Sequence, residues 1–133
     1  MEVASAPRRR WLLLDKSAFV RAVDMPPESA GDLCVCAITR LEILHSARSS
    51  ENYQEIEQEL DSFHELRIDA ETIRTAVAAH RELGERERHR IPVPDLLIAS
   101  CAQQHQAAVI HVDRHYDALT EVLAFQALRL DNQ

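Results

Sequence analysis

The stretch Trp11-Leu12-Leu13-Leu14-Asp15 joins a short apolar run directly to a carboxylate. Such a run, without polar alternation, predicts a strand that is buried on both faces, and Asp15 then lies just beyond its carboxyl end. A second run, from Ala108 to Val112, is followed in the same way by Asp113. Strands buried on both faces are typical of parallel sheets that carry helices on either side.

The rest of the chain alternates between strand-like and helix-like segments. Further strands are predicted over residues 33–38, 66–68 and 125–130. Capping residues and apolar spacing predict helices over residues 17–23, from Thr39, along the stripe Tyr53, Ile56, Leu60 and Phe63, after Asp69, and over residues 95–104 and 116–121. This alternation predicts the α/β class, as a three-layer α/β/α arrangement around a parallel sheet of four or five strands.

Two helices can be described in more detail. Thr39 and Glu42 have the separation of a capping box, with Glu42 in the first turn of its helix. In the helix that Asp69 is expected to cap, the spacing predicts an apolar face made of Ile73, Ala76, Val77, His80 and Leu83.

Composition limits the possible functions. The 133 residues suit a single domain, and a hydrophobic fraction of 46% indicates a globular chain. Only two glycines are present, which argues against a P-loop or a dinucleotide-binding glycine motif. Residues 1–10 are expected to form a flexible basic arm, and residues 11–133 one domain. No apolar run has the ~20 residues needed to cross a membrane.

The charge balance is acidic, with 15 basic and 22 acidic residues and a net charge of −7. Nucleic acid would therefore be bound through a local basic patch or through cations, since the protein as a whole repels it. Cys34, Cys36 and Cys101 make an odd number of cysteines without a secretory signal, which indicates reduced thiols in a cytosol. We expect them to serve as small apolar residues of the core.

Four carboxylates, those of Asp15, Glu42, Asp95 and Asp113, follow strands or begin helices at what should be one edge of the sheet. Ligands of open parallel sheets bind beyond this edge. Gathered carboxylates repel one another unless a cation lies between them, and Mg²⁺ or Mn²⁺ prefers such oxygen ligands. Each carboxylate has a local alternative as a helix cap or as a favourable charge at a helix N-terminus. Position alone therefore leaves both interpretations open.

Four stretches make a more specific case when they are taken together. They are Leu12-Leu-Leu-Asp15-Lys-Ser-Ala18, Ile38-Thr-Arg-Leu-Glu42-Ile-Leu-His-Ser-Ala47, Ile91-Pro-Val-Pro-Asp95-Leu-Leu-Ile-Ala99 and Val109-Ile-His-Val-Asp113-Arg-His-Tyr-Asp117. In order and spacing, the chain resembles a PIN domain, and in particular the VapC-type toxins of VapBC toxin–antitoxin systems. The resemblance extends from about Trp11 to Leu130, so residues 11–133 are expected to be a single PIN domain.

The resemblance implies a metal-dependent endoribonuclease toxin that cleaves structured RNA, either tRNA or rRNA. It implies Mg²⁺ or Mn²⁺ as cofactor, with Asp15, Glu42, Asp95 and Asp113 as catalytic metal ligands. It also implies a cytoplasmic homodimer that does not associate with membranes and is neutralised by a cognate VapB-type antitoxin. Ser17 follows the first aspartate, where it either helps to hold a ligand or water or is a plain serine at a helix start. The candidate RNA contacts are Arg86, Arg88, Arg90 and Arg114, which fit a solvated surface equally well.

One position departs from the family pattern. His115 stands where many relatives have an aspartate two residues after the fourth acid, and Asp117 is two residues further along, so both are candidate neighbours of the site. Imidazole is a poor ligand for Mg²⁺ but an acceptable one for Mn²⁺. The substitution therefore predicts weak occupancy of a second metal position and a preference for Mn²⁺.

Other functions fit the sequence less well. A haloacid-dehalogenase-like phosphatase would need a second aspartate two residues after Asp15, where this chain has Ser17. A receiver domain would need an acidic pair after the first strand. The remaining alternative is a weak or inactive PIN domain that binds RNA or protein. The four acids argue against it, and His115 keeps it open.

Overall fold

A computed structural model describes residues 9–19, 31–88 and 90–130. Most of the predicted arm over residues 1–10 lies outside these ranges, as do residues 20–23 of the first predicted helix. The described chain forms a five-stranded sheet in the order β3-β2-β1-β4-β5, with every neighbouring pair parallel. The strands are β1 (Trp11–Leu14), β2 (Asp32–Cys36), β3 (His64–Leu66), β4 (Ala108–His111) and β5 (Gln126–Arg129).

Helices cover both faces of this sheet. They are α1 (Lys16–Phe19), α2 (Ala37–His45), α3 (Ser50–Leu60), α4 (Ala70–Glu85), α5 (Val93–His105) and α6 (His115–Leu119). Leu13 of the central strand packs with residues of α4, α5 and α6 in one core. Leu12 and Leu14 point the other way and pack with residues of α1, α2 and α3. The predicted α/β class and three-layer architecture are thus confirmed.

Two further expectations concern the apolar interior and the membrane. Cys34, Cys36 and Cys101 are free and buried, as expected of small core residues. Across the described ranges, no helix has both the length and the apolar character needed to span a bilayer.

The predicted N-terminus of α2 is wrong. The helix begins at Ala37, and Cys36 rather than Thr39 holds the N-cap position. Thr39 is the third helical residue, and its Oγ1 accepts a hydrogen bond from the backbone N–H of Cys36 at 2.9 Å. Glu42 consequently lies beyond the first turn, so a capping role does not explain its carboxylate.

The predicted cap of α4 is confirmed. Asp69 is the N-cap residue, and its Oδ1 accepts hydrogen bonds from the backbone N–H groups of Glu71, at 3.1 Å, and Thr72, at 3.4 Å. The same Oδ1 also accepts a hydrogen bond from Nε2 of Gln104 in α5, at 3.0 Å. The start of α4 is thereby tied to α5.

The predicted apolar face of α4 is wrong in part. The buried residues are Thr72, Ala76, Ala79 and Leu83, whereas Ile73, Val77 and His80 are exposed. Thr72 Oγ1 donates a hydrogen bond to Gln104 Oε1, which turns this face of the helix towards α5. The small side chains of Ala76 and Ala79 then allow the two helices to pack closely. Apolar spacing alone does not reveal this rotation.

Segment boundaries also differ at several places. The third strand covers His64–Leu66 rather than residues 66–68, and Trp11 stacks on His64 with ring centroids 4.3 Å apart. Helix α4 continues through Glu85, into a charged segment for which no helix was predicted. This extension adds only Gly84 and Glu85, and the C-cap residue Arg86 supports the last turn by an i,i+4 ion pair with Glu82 at 2.9 Å.

We predict different costs for two truncations in α4. Leu83→Ala should lower the free energy of unfolding by about 2–5 kcal/mol, because it opens a cavity in the core. Arg74→Ala, at an exposed side chain on the same helix, should change it by no more than about 0.5 kcal/mol. Urea unfolding of both variants measures this difference. Equal losses would show that the buried face of α4 is not the one described.

Candidate metal centre

The carboxyl edge of the sheet brings the predicted acids together. Asp15 follows β1, Asp113 follows β4, and these two strands are neighbours. Donor atoms of Asp15, Glu42 and Asp95 all lie within 4.8 Å of one another, and so do donor atoms of Asp95, Asp113 and His115. Asp95 belongs to both groups, because the first turn of α5 carries it between the ends of the two strands.

Asp15 is held by side chains on both of its oxygens. Tyr116 donates its hydroxyl proton to Oδ1 at 2.7 Å, and Ser17 donates to Oδ2 from its backbone N–H, at 2.9 Å, and from its hydroxyl, at 2.5 Å. Ser17 Oγ also accepts a hydrogen bond from the backbone N–H of Val112 at 3.0 Å. These hydrogen bonds fix the orientation of the Asp15 carboxylate, and the residue is only 5% exposed.

The Tyr116 hydroxyl is suited to remain a donor. The side chain is fully buried, and its ring lies against His111, with centroids 4.9 Å apart. Burial, followed by the charges of Asp15 and Asp95, raises the pKa of Tyr116 well above its ordinary value. The phenol thus keeps its proton and remains a hydrogen-bond donor to Asp15.

The other two acids of the first group are destabilised as anions. Burial, and then the charges of Asp15 and Asp113, raise the pKa of Asp95 to about 6, although contact with His115 works in the opposite direction. Burial and the charge of Asp15 also raise the pKa of Glu42, which Lys16 partly offsets. Mutual repulsion of this kind is relieved when a cation binds among the carboxylates.

His115 lies between the second pair of acids. Its Nδ1 is 3.0 Å from Asp95 Oδ2 and 3.0 Å from Asp113 Oδ1. Its backbone N–H donates to the same oxygen of Asp113 at 2.9 Å. Asp117, the other candidate neighbour, is exposed and belongs to neither group of possible ligands.

His111 supports the loop that carries Asp113. The side chain is fully buried, and burial lowers its pKa, so the imidazole is neutral. Nδ1 accepts a hydrogen bond from the backbone N–H of Asp113 at 3.1 Å, which assigns the ring proton to Nε2. Among the described residues, Nε2 has no hydrogen-bond partner.

The four candidate arginines have different surroundings. Arg86 and Arg88 both pair with Glu121, at 3.8 and 3.2 Å, and Arg86 also pairs with Glu82. Arg88 and Arg90 line an open cleft together with His115, so these two cations lie on an approach to the acids. Arg114 is exposed on the loop beyond Asp113.

The donor set fits a hard divalent cation. Asp15, Glu42 and Asp95 offer carboxylate oxygens only, which are the ligands that Mg²⁺ and Mn²⁺ prefer. Hydrogen bonds from Tyr116 and Ser17 orient one of these carboxylates, as neighbouring groups do in known metal sites. The site therefore has both the ligands and the supporting contacts of a metal centre.

Comparison with known proteins identifies the family. A family model for the PIN domain matches residues 12–122. The chain therefore belongs to the PIN domain family. Within the family it is similar to Ribonuclease VapC17 of Mycobacterium tuberculosis, with 39% identity over 90% of this chain and 95% of the relative. It is 33% identical to Ribonuclease VapC51 of the same organism, over 82% of this chain and 79% of the relative. The resemblance to VapC-type toxins is thus confirmed.

Solved structures agree on the fold. The VapBC complex from Salmonella typhimurium bound to DNA aligns with a TM-score of 0.73 and 17% identity, over 92% of this chain and 99% of that one. VapBC-5 from Mycobacterium tuberculosis aligns with a TM-score of 0.69 and 22% identity, over 90% and 98%. At these identities, the likeness concerns the fold alone.

Two contacts of the site were not anticipated from the sequence. The contact of Tyr116 with Asp15 was missed. Its place three residues after Asp113 could have indicated it, because a phenol on the first turn of α6 faces back towards the strand ends. His115 was expected near the acids, but its contact with both Asp95 and Asp113 was not predicted, because the first residue of the short helix α6 has no periodicity from which its direction can be read.

We predict an unusual pH dependence for the metal-free protein. The folded pKa of Asp95, about 6, exceeds its ordinary value of 3.8, so the folded state binds more protons between these values. Stability should therefore fall as pH rises from about 4 to about 6, by on the order of 1–3 kcal/mol from this group. Thermal unfolding with a chelator present measures it.

The matched control for this prediction is Asp95→Asn. This variant should lose that part of the pH dependence, and it should be at least as stable as the wild type at pH 7. If the stability of the wild-type protein instead rose with pH over this interval, and Asp95→Asn abolished the rise, the direction assigned to the pKa shift of Asp95 would be wrong.

Proposed function

We propose that this chain is a metal-dependent endoribonuclease toxin that cleaves structured RNA, either tRNA or rRNA. The observation that carries the proposal is the convergence of Asp15, Glu42, Asp95 and Asp113 at one sheet edge, in a chain whose relatives are named VapC ribonucleases. Mg²⁺ or Mn²⁺ is the proposed cofactor, with these four residues as its ligands. We place the protein in the cytoplasm, where such RNA is available.

The residues of the site have different roles. Asp15, Glu42 and Asp95 would hold the cation, Asp113 beside Asp95 would complete the set of acidic ligands, and Tyr116 and Ser17 keep Asp15 in place. A cation held by these acids would supply Lewis acidity, lowering the pKa of a nearby water and neutralising charge on the phosphodiester. The water oxygen would bond to phosphorus as the P–O3′ bond breaks and the 3′ oxygen takes up a proton, so the products would carry 5′-phosphate and 3′-hydroxyl ends.

The substrate must approach an acidic protein. With a net charge of −7, the chain as a whole repels RNA. Arg88 and Arg90 line the cleft beside His115, so they can contact backbone phosphates close to the acids, and exposed Arg114 can do so from the other loop. Arg86 is the weakest candidate of the four, because Glu82 and Glu121 already pair with it.

The proposed protein partner is a VapB-type antitoxin. Several solved neighbours are VapBC complexes. Most of the apolar stripe of α3 serves the protein's own core, since Leu60 is buried and Ile56 and Phe63 pack against it. Tyr53, however, is 42% exposed and lines a cleft between α2 and α3 with Leu44. We assign the antitoxin chain to this cleft, with a basic tail directed towards the acids.

A homodimer is the proposed assembly. Ile73, Val77 and Val93 are 46%, 53% and 58% exposed, and they line one groove between α4 and α5 together with Leu97. Among the residues that the structure describes, no acidic or basic side chain other than His80 lines the groove, so it does not suit a strongly charged partner. A second copy offers a surface that is equally apolar, and its docking would cover these side chains.

Loss of one carboxylate tests the enzymatic proposal. Asp95→Asn or Asp15→Asn should reduce cleavage of tRNA or rRNA, in Mg²⁺ or Mn²⁺, by at least about a thousandfold without unfolding the protein, because a metal ligand is lost. Electrophoresis of purified RNA, with circular dichroism as the folding check, measures both effects. Asp61→Asn, at an exposed carboxylate on the far end of α3, is the control and should cleave normally.

Three outcomes of this experiment are informative. Wild-type cleavage by Asp95→Asn would overturn the assignment of the acids. RNA binding without cleavage by the wild-type protein, at any divalent concentration, would favour the alternative of a PIN domain that only binds. Where a short reading frame next to this gene encodes a VapB-type protein, cleavage that persists when that protein is added would contradict the proposed antitoxin.

Disruption of the apolar groove tests the proposed dimer. Val77→Glu should convert the dimer to a monomer, because a buried unpaired carboxylate is costly. Ala78→Glu adds the same charge to the exposed side of α4, outside the groove, and should leave the dimer intact. Light scattering after size-exclusion chromatography measures both masses. A wild-type protein that is monomeric at all concentrations would contradict the proposal.

A further inference from the structure

The two groups of possible metal ligands differ in their chemistry. The first, Asp15, Glu42 and Asp95, offers oxygen atoms only. The second, Asp95, Asp113 and His115, adds an imidazole nitrogen. Oxygen-only sites suit Mg²⁺, whereas mixed nitrogen and oxygen sites favour divalent transition metals. The two groups should therefore select different cations.

The spacing of the second group matches a coordination shell. In an octahedral shell with ligand distances of about 2.1 Å, two adjacent donors are about 3.0 Å apart. His115 Nδ1 has this separation from Asp95 Oδ2 and from Asp113 Oδ1, at 3.0 Å each. A small cation can thus contact all three donors with little movement of their side chains.

Local contacts hold these donors in place. Asp113 Oδ1 accepts the backbone N–H of His115 at 2.9 Å, which fixes the carboxylate relative to the imidazole that follows it. The backbone N–H of Asp113 in turn donates to buried His111. Asp95 is only 7% exposed in the first turn of α5. The group is therefore organised before any ion binds.

We propose that Asp95, Asp113 and His115 form a second cation position that selects Mn²⁺ and similar transition metals over Mg²⁺, with His115 Nδ1 as a direct ligand. The inference rests on the proposed function, because it assumes that the acids bind metal. The sequence alone predicts that a second metal binds weakly. The geometry instead gives this second position a preference for transition metals over Mg²⁺.

The competing explanation is a purely structural role for His115. In that case its Nδ1–H only bridges the two carboxylates by hydrogen bonding, and no metal–nitrogen bond forms. Both explanations place the imidazole between Asp95 and Asp113, so the loss of activity in a His115 variant does not separate them. A spectroscopic signal from the metal–nitrogen bond does.

The decisive experiment is pulsed electron paramagnetic resonance of the full chain loaded with Mn²⁺. A directly bound imidazole nitrogen should produce ¹⁴N modulation in the wild-type protein. His115→Ala and His115→Asp should both lose this modulation. His105→Ala removes an imidazole at the opposite end of α5 from Asp95, outside the apolar groove, and is the matched control, so its modulation should be unchanged.

Isothermal titration with Mn²⁺ and with Mg²⁺ completes the test. His115→Asp restores an oxygen-only set, so the preference for Mn²⁺ over Mg²⁺ should fall by about tenfold or more. His115→Ala should lose Mn²⁺ affinity at this position without gaining Mg²⁺ affinity.

The outcomes separate this inference from the proposed function. Mn²⁺ binding without ¹⁴N modulation, or with modulation that survives in His115→Ala, would overturn the role of His115 and leave the metal centre intact. An absence of any Mn²⁺ or Mg²⁺ binding, in the wild type as in Asp95→Asn, would overturn the metal centre itself. Unchanged selectivity in His115→Asp would also overturn the inference.

Discussion

Electrostatic repulsion among carboxylates at a buried sheet edge is the constraint on which the rest of the site depends. Asp15 and Asp95 are nearly buried and close together, and negative charge is costly in such surroundings. The protein reduces the penalty at Asp15 by hydrogen bonds from Tyr116 and Ser17. It leaves Asp95 with a raised pKa, and that residual cost is what a bound cation would relieve.

The sheet topology explains why this cost arises at one place. The central strand β1 has β2 and β4 as neighbours, and all three run parallel, so their carboxyl ends meet at the same edge. The helices that follow β1 and β2, and the N-terminus of α5, lie at this edge too. Local sequence thus needs only to place an acid after each strand or at each helix start, because the fold brings them together.

The sequence predicted the parts of the structure that depend on strong local signals. Buried strands closed by Asp15 and Asp113 were found, as was the Asp69 cap, because each is encoded within a few residues. The exposed face of α4 was missed, since Gln104 on another helix determines the rotation of α4. The contact of Tyr116 with Asp15 was missed for a similar reason: it joins residues 101 positions apart.

Tyr116 belongs to the hydrophobic core and to the candidate site at once. Its ring packs in the larger core and meets the edge of Phe125, with centroids 6.5 Å apart, while its hydroxyl holds Asp15. Substitutions in that core would shift the phenol by fractions of an ångström long before they unfold the chain. Natural selection on the site therefore also constrains apolar core residues that never contact a substrate. Substitutions of these core residues are limited by function as well as by stability.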